Sequence, residues 1–274
     1  MYDYVIVPYD NTDATRVGHA PAADLAWRCK AKLVMVANSQ VADRSSQRTL
    51  KGQAMDLSGD GDVDFWVDTE ARSLGHAVAS AGRYRGNSCI CVLAKPTGFL
   101  MKKGLDPLAE DVLRDATVPV VVLGPRFDLT ARMPVGRIIA CLDGTPQTEK
   151  MMPIVASWAV QLRLNVSVVG VLGPGGSGPA ELTIDYLKEH AFSLQAHIDD
   201  ELADIPFGLP TVQAELLEAA TPAKGLVGVA TDEGESILAL CMHSDTDKPK
   251  GVVGDVAMEV LKESPRPVLL IPRD

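Results

Sequence analysis

Two stretches of this chain repeat each other at fixed offsets. Asp10-Asn11-Thr12 is matched by Asp143-Gly144-Thr145 after 133 residues, and Leu33–Val36 by Val166–Val169 at the same offset. Towards the far end of each copy, Val112-Leu113-Arg114 is matched by Val260-Leu261-Lys262 and Pro119-Val120 by Pro267-Val268, both at 148. Aligned ends with one change of 15 residues between them point to duplication of a single folding unit. At 274 residues the chain has room for two domains of ordinary size. We divide it into a first module over 1–125, a linker over 126–136, where prolines replace periodicity, and a second module over 137–274.

Each module alternates strands with helices. The first module reads as strands Tyr4–Val7, Leu33–Ala37, Val63–Val67, Cys89–Ala94 and Val118–Leu123, with helices over Ala14–Lys30, from an N-cap at Thr69 to Arg83, and over Leu108–Ala116. The second reads as strands Arg137–Leu142, Val166–Leu172, Thr211–Leu217, Ser236–Cys241 and Val268–Ile271. Its helices cover Thr148–Leu162, Ala180–Ala203, a stretch opened by Thr221-Pro222 and closed near Thr231, and Val253–Glu263. Two segments stand outside the pattern, and their roles stay open. The polar stretch over 38–62 reads as a loop with one short helix near Gln47–Met55, and Gly173–Pro179 reads as a flexible insertion.

Strands rich in Val, Ile and Leu that alternate with helices predict an α/β fold: in each module a five-stranded, mainly parallel sheet with helices on both faces. Ligands of such sheets bind beyond the carboxyl ends of the strands, where strand order reverses. The loops after Tyr9, Ala37, Ala94, Leu142, Leu172 and Cys241 are therefore where a site is expected.

Composition removes several function classes. A net charge of −10 disfavours broad binding to nucleic acid, which rests on neutralising phosphates. No apolar run approaches the about 20 residues of a membrane span, and the N-terminus lacks the pattern of a signal peptide, so a cytoplasmic protein is expected. The five cysteines, Cys29, Cys89, Cys91, Cys141 and Cys241, read as buried free thiols. His190 and His197 lie seven apart on one helix, about 10 Å along its axis, and read as a solvated face. No zinc-type spacing, G-x-S-x-G, phosphate-loop lysine or H-E-x-x-H pattern occurs, so neither a metal site nor a catalytic constellation is expected.

The repeated residues resemble the universal stress proteins. A strand ending in Asp followed by Gly or Asn and then Thr is similar to that family's first strand. The closing segments are similar to its last helix and strand: Ala109-Glu110-Asp111-Val112-Leu113-Arg114-Asp115-Ala116-Thr117-Val118-Pro119-Val120-Val121-Val122 and Ala257-Met258-Glu259-Val260-Leu261-Lys262-Glu263-Ser264-Pro265-Arg266-Pro267-Val268-Leu269-Leu270-Ile271. The resemblance covers nearly the whole chain as two Rossmann-like modules of the adenine nucleotide α-hydrolase type. It implies that the two Pro-Val strands pair within one chain, and it leaves a homodimer or a protein partner open.

Nucleotide-binding members of that family carry G-x-x-G, nine residues, then Gly-Ser or Gly-Thr after the fourth strand. Glycines let backbone N–H groups approach phosphate, and the next helix offers its positive end. The second module has Cys241-Met242-His243-Ser244 and Gly254-Asp255 at these places, and the first has Leu93-Ala94-Lys95-Pro96 and Asp106-Pro107. Asp255 puts a carboxylate beside the phosphates, partly offset by Lys248 and Lys250, and Pro96 and Pro107 remove donors altogether. The resemblance thus implies adenine-nucleotide binding (ATP or AMP) that is weakened or lost. Its residues are Asp143, Val171, Cys241, His243, Ser244, Gly254 and Asp255 in module two, and Asp10 alone in module one, where a helix-capping role is favoured. The expected function is non-enzymatic stress adaptation by binding. A nucleotide-independent interaction module is the alternative, and an enzyme of the wider α-hydrolase-like group ranks last.

Overall fold

The computed structural model describes residues 2–10, 13–38, 63–95, 105–130, 132–133, 136–205, 208–242 and 253–272. The described residues form two compact units, the first ending at Met133 and the second beginning at Gly136. The expected short helix in 38–62 lies outside the described residues.

Unit one contains β1 (Tyr4–Pro8), α1 (Asp13–Cys29), β2 (Lys32–Asn38), β3 (Val63–Asp68), α2 (Leu74–Arg85), β4 (Ser88–Leu93), α3 (Pro107–Asp115) and β5 (Val120–Leu123). Its strands are ordered β3-β2-β1-β4-β5 and their pairs are parallel. Unit two contains β6 (Arg137–Cys141), α4 (Pro146–Glu149), α5 (Met152–Leu162), β7 (Asn165–Leu172), α6 (Ile184–Glu201), β8 (Val212–Glu218), α7 (Pro222–Asp232), β9 (Ser236–Cys241), α8 (Asp255–Glu263) and β10 (Val268–Ile271). Its parallel order, β8-β7-β6-β9-β10, follows the same plan.

Burial explains the strand composition. Val5, Ile6, Val34 and Ile90 in unit one, and Ile138, Val166, Leu238 and Leu269 in unit two, are fully buried. Helices cover both faces of each sheet, so central strands need apolar side chains on both sides. The edge strands β3 and β8 are only half-buried, and they carry the acidic residues Asp64, Asp68, Glu215 and Glu218.

The duplication extends to individual hydrogen bonds. Ile90 N donates to Pro119 O at 2.9 Å and Leu238 N to Pro267 O at 3.1 Å, tying each Pro-Val strand to the fourth strand of its own unit. Tyr9 N reaches Val36 O at 2.7 Å, and Leu142 N reaches Val169 O at 2.9 Å. The Ser88 hydroxyl donates to Gly82 O at 3.2 Å and the Ser236 hydroxyl to Ala230 O at 3.3 Å, closing each helix–strand corner.

Local chemistry moves several boundaries. The helix expected from Thr69 begins at Leu74: Asp68 Oδ1 accepts from Glu70 N and Ala71 N, both at 3.0 Å, and holds those residues in a turn. Ser73 is the N-cap, accepting from His76 N. The helix expected over Thr148–Leu162 is broken into α4 and α5 at Lys150-Met151. Pro153 has no N–H to continue the ladder, so it stands in the first turn of a new helix. The insertion expected to be flexible is a defined turn. Gly173 N donates to Ser177 O at 2.7 Å, and Gly175, at φ +69°, donates its N–H to Glu218 Oε1 at 2.7 Å. α6 then starts at Ile184 behind a Thr183 cap, with Leu187, Leu194 and Ile198 buried along one stripe.

Candidate functional site

Strand order reverses between β1 and β4 in unit one and between β6 and β9 in unit two. The carboxyl ends of these strands are where a parallel sheet leaves a crevice. In unit two that crevice is a cavity of about 410 Å³. In unit one the corresponding space is about 20 Å³, roughly what one water needs.

The unit-two cavity has its floor in the strand ends. Cys141 ends β6 and Leu142 and Asp143 follow it, Val171 lies near the end of β7, and Leu240 and Cys241 end β9 with Met242 after them. Gly254 to Ala257 of the α8 N-terminus form one wall, and Pro222 and Leu226 of α7 another. The cover comes from the end of the insertion and the residues after it, as Pro179 and Leu182. Leu182 is 4% exposed and sits against two glycines. A Cβ on Gly170 would lie 2.7 Å from Leu182 Cδ1, and one on Gly144 would lie 3.0 Å from Leu182 N. Gly144 also has φ +82°, a conformation that disfavours a side chain. Backbone bareness at these two positions is what lets the insertion fold down onto the sheet.

Asp143 is held by its neighbours. Its Oδ1 accepts from Thr145 N at 3.0 Å, Thr145 Oγ1 at 2.6 Å and Thr148 Oγ1 at 2.9 Å. Oδ2 takes no hydrogen bond among the described residues. The carboxylate therefore organises the β6–α4 turn with one oxygen and presents the other beside the cavity. Behind Thr148, Tyr186 OH donates to Glu149 Oε1 at 3.0 Å, and His190 Nε2 lies 3.6 Å from the same oxygen. Burial first, and then the Glu149 and Asp143 carboxylates, push the Tyr186 phenol well above its usual range. It stays a neutral donor.

The thiols at the site are inert. Burial, with a further contribution from Asp143 against an opposing one from Lys150, pushes the Cys241 thiol up to about 12. Its Sγ donates to Gln147 O at 3.2 Å. Burial also raises Cys141 strongly, so neither supplies a thiolate nucleophile at neutral pH. Among the described residues no group of three or more His, Cys, Asp or Glu is placed to hold a metal ion.

Of the residues singled out from sequence in module two, Asp143, Val171, Cys241, Gly254 and Asp255 gather around this cavity. His243 and Ser244 lie outside the described residues. Asp10 is half-buried and is not among the residues lining the small unit-one space. Sequence reading missed Thr148, Pro179, Leu182, Leu226 and Met242. The Thr145/Thr148 spacing after Asp143 was a local signal for the turn, whereas Leu182 and Pro179 arrive only by tertiary folding.

Unit one carries different side chains at the equivalent strand and helix ends. Tyr9, 2% exposed, takes the place of Leu142 and stacks on buried His19 at 6.0 Å between centroids. His19 Nε2 is 2.9 Å from Pro8 O. Asp106, at the position of Gly254, turns its carboxylate inward: Oδ2 accepts from Lys95 N at 2.7 Å and Oδ1 from Ala109 N at 3.2 Å. A carboxylate of the chain itself thus occupies the loop N–H and helix N-terminus that would face an anion. The α8 N-terminus has no side-chain cap, and Gly254 N is bonded to Met242 O at 2.9 Å.

No family model matches the chain. A universal stress protein of Methanocaldococcus jannaschii is 30% identical over 87 residues, 32% of this chain and 51% of that protein. The match thus spans about half the length of that curated relative. Among solved structures, a universal stress protein of Archaeoglobus fulgidus aligns over 100% of both chains with a TM-score of 0.68 at 12% identity. A putative universal stress protein of Pseudomonas aeruginosa aligns over 98% of this chain and 93% of its own, with a TM-score of 0.64 at 18% identity. The chain has the fold of these proteins as two tandem modules, and over 87 residues it is similar in sequence to a universal stress protein.

Proposed function

We propose that this chain acts by binding rather than by turnover, as a tandem universal-stress-type protein whose ligand site is the cavity of module two. Module one, on this reading, is a structural copy. The observation that carries the assignment is the contrast of about 410 Å³ against about 20 Å³ at equivalent positions of the two sheets. A cavity of the larger size lies in the range of small-molecule sites, about 300–1,000 Å³. The resemblance to the family suggests an adenine-containing ligand, with Asp143 Oδ2 available to a ligand hydroxyl or amine. Association of two chains, or with a protein partner, is a further proposal.

Calorimetric titration with adenosine, AMP, ADP and ATP tests the assignment. Val256, exposed at 38% on the rim of the cavity, is the position for a blocking Val256→Trp substitution. Binding of at least one adenine compound is expected, abolished by Val256→Trp and retained in His19→Gln. Binding lost in His19→Gln but kept in Val256→Trp overturns the assignment.

A further inference from the structure

The segment from Gly173 to Thr183 is folded largely onto itself. Gly173 N donates to Ser177 O at 2.7 Å and Gly176 N to Gly173 O at 3.1 Å, closing one tight turn. Leu182 N donates to Pro179 O at 3.1 Å and Thr183 N to Glu181 O at 2.9 Å, closing a second. The first turn depends on glycine, with Gly175 at φ +69° and Gly176 at φ +73°. Residues 174–181 are all exposed, whereas Leu182 is buried. The backbone on either side is tied down. Leu172 O accepts from Ala219 N at 3.0 Å, and Thr183 caps α6 by accepting from Tyr186 N at 3.2 Å.

The segment reaches the rest of unit two through a polar anchor and an apolar one. Gly175 N donates to Glu218 Oε1 at 2.7 Å, and this carboxylate is exposed at the end of β8. The Leu182 side chain packs over the bare backbone of Gly170, beside Leu187 and Leu216. Gly178 lies against Leu172, next to the point where the segment leaves the sheet. Swinging the segment outwards breaks the Glu218 bond and withdraws Leu182. The two internal turns, the β7–β8 ladder and the Thr183 cap all remain. Openings that give up so few contacts lie at the low end of a protein's range of local stabilities, from which the covers of binding sites are drawn.

We infer that residues 174–182 are a hinged strap that opens as one piece, pivoting at Gly173 and Thr183, with Leu182 as its plug and Glu218 as its latch. Opening uncovers the module-two cavity, which Pro179 and Leu182 line. The role of the strap in ligand exchange rests on the reading of this cavity as the ligand site; the opening itself does not.

Leu182→Cys places a thiol on the plug. Treated with iodoacetamide at pH 8 in the full chain, with the site mapped by mass spectrometry, position 182 should react without global unfolding. Its rate should be nearly independent of urea well below the unfolding midpoint. Adding Glu218→Ala should raise that rate about two- to tenfold, the span of one net hydrogen bond. Hydrogen exchange of the wild type and of Glu218→Ala alone gives a second reading that leaves the plug intact. Leu182 N should exchange several-fold faster in the variant, while Leu142 N, bonded to Val169 O, should be unchanged. Labelling that rises with urea as steeply as unfolding does, or either rate unmoved by Glu218→Ala, overturns the strap. Saturating adenosine should slow labelling at position 182. Adenosine that binds by calorimetry without slowing it overturns the role in ligand exchange. Adenosine that fails to bind counts against the ligand site alone, and labelling and exchange still decide the strap.

Discussion

Replacing Leu182 by alanine tests how the insertion is held. In a closed core, Leu→Ala costs about 2–5 kcal/mol, the spread reflecting how far the site collapses. Leu182 contacts Gly144 and Gly170 on one side and the cavity on the other, so part of its surface has no packing to lose. The lower end, about 2 kcal/mol, is expected. With a urea m-value of about 1–3 kcal/mol/M for a module of this size, the midpoint falls by about 1 M. The chain supplies its own reporter. Of the three tryptophans, Trp27 and Trp66 lie in unit one, and Trp158, 4% exposed, lies on α5 of unit two. In a Trp27→Phe, Trp66→Phe background, fluorescence follows module two alone, which matters because a two-domain chain need not unfold in one transition. A Trp158 transition unmoved by Leu182→Ala would refute the packing of the insertion onto the two glycines.

Gly144→Ala should destabilise the same transition by about 1–3 kcal/mol, because φ is +82° and Leu182 N would lie 3.0 Å from the new Cβ; circular dichroism during thermal unfolding reads it. Asp106→Ala should cost module one about 0.5–2 kcal/mol through the lost cap, with ligand binding by calorimetry unchanged, since Asp106 bonds only within unit one. Asp115 is raised by partial burial but lowered more by His76 and Arg72, so its carboxyl lies below the usual value of 3.8. A depressed carboxyl contributes stability above its unfolded value and loses it as pH falls through the folded value. The urea midpoint difference between the wild type and Asp115→Asn, worth about 0.2–1 kcal/mol for such a pair, should therefore close as the pH drops below about 4. Burial pushes Cys29, Cys91 and Cys241 up to about 12, so a thiol reagent at pH 8 should label them appreciably only after denaturant is added.

The architecture was legible because its signals are local. Val and Ile runs marked the strands, Thr221-Pro222 opened α7 as written, and the paired offsets carried the duplication down to single hydrogen bonds. Where a boundary moved, a nearby side chain outcompeted the expected cap: Asp68 took the amides that would have started a helix at Thr69. The gathering of Asp143, Val171, Cys241, Gly254 and Asp255 around one space follows from their places at strand ends and a helix start. Leu182 was hidden because its contacts with Gly144 and Gly170 are 38 and 12 residues away in sequence. The inward turn of Asp106 was half visible. Asp-Pro announces a capped helix start, but the second bond, from Lys95 N, depends on how the preceding loop returns.

Stoichiometry tests the central asymmetry most directly. Native mass spectrometry of the full chain with saturating adenosine should show one ligand per chain, and none in Val256→Trp. Two ligands per chain, or one that survives Val256→Trp, would contradict a site confined to module two.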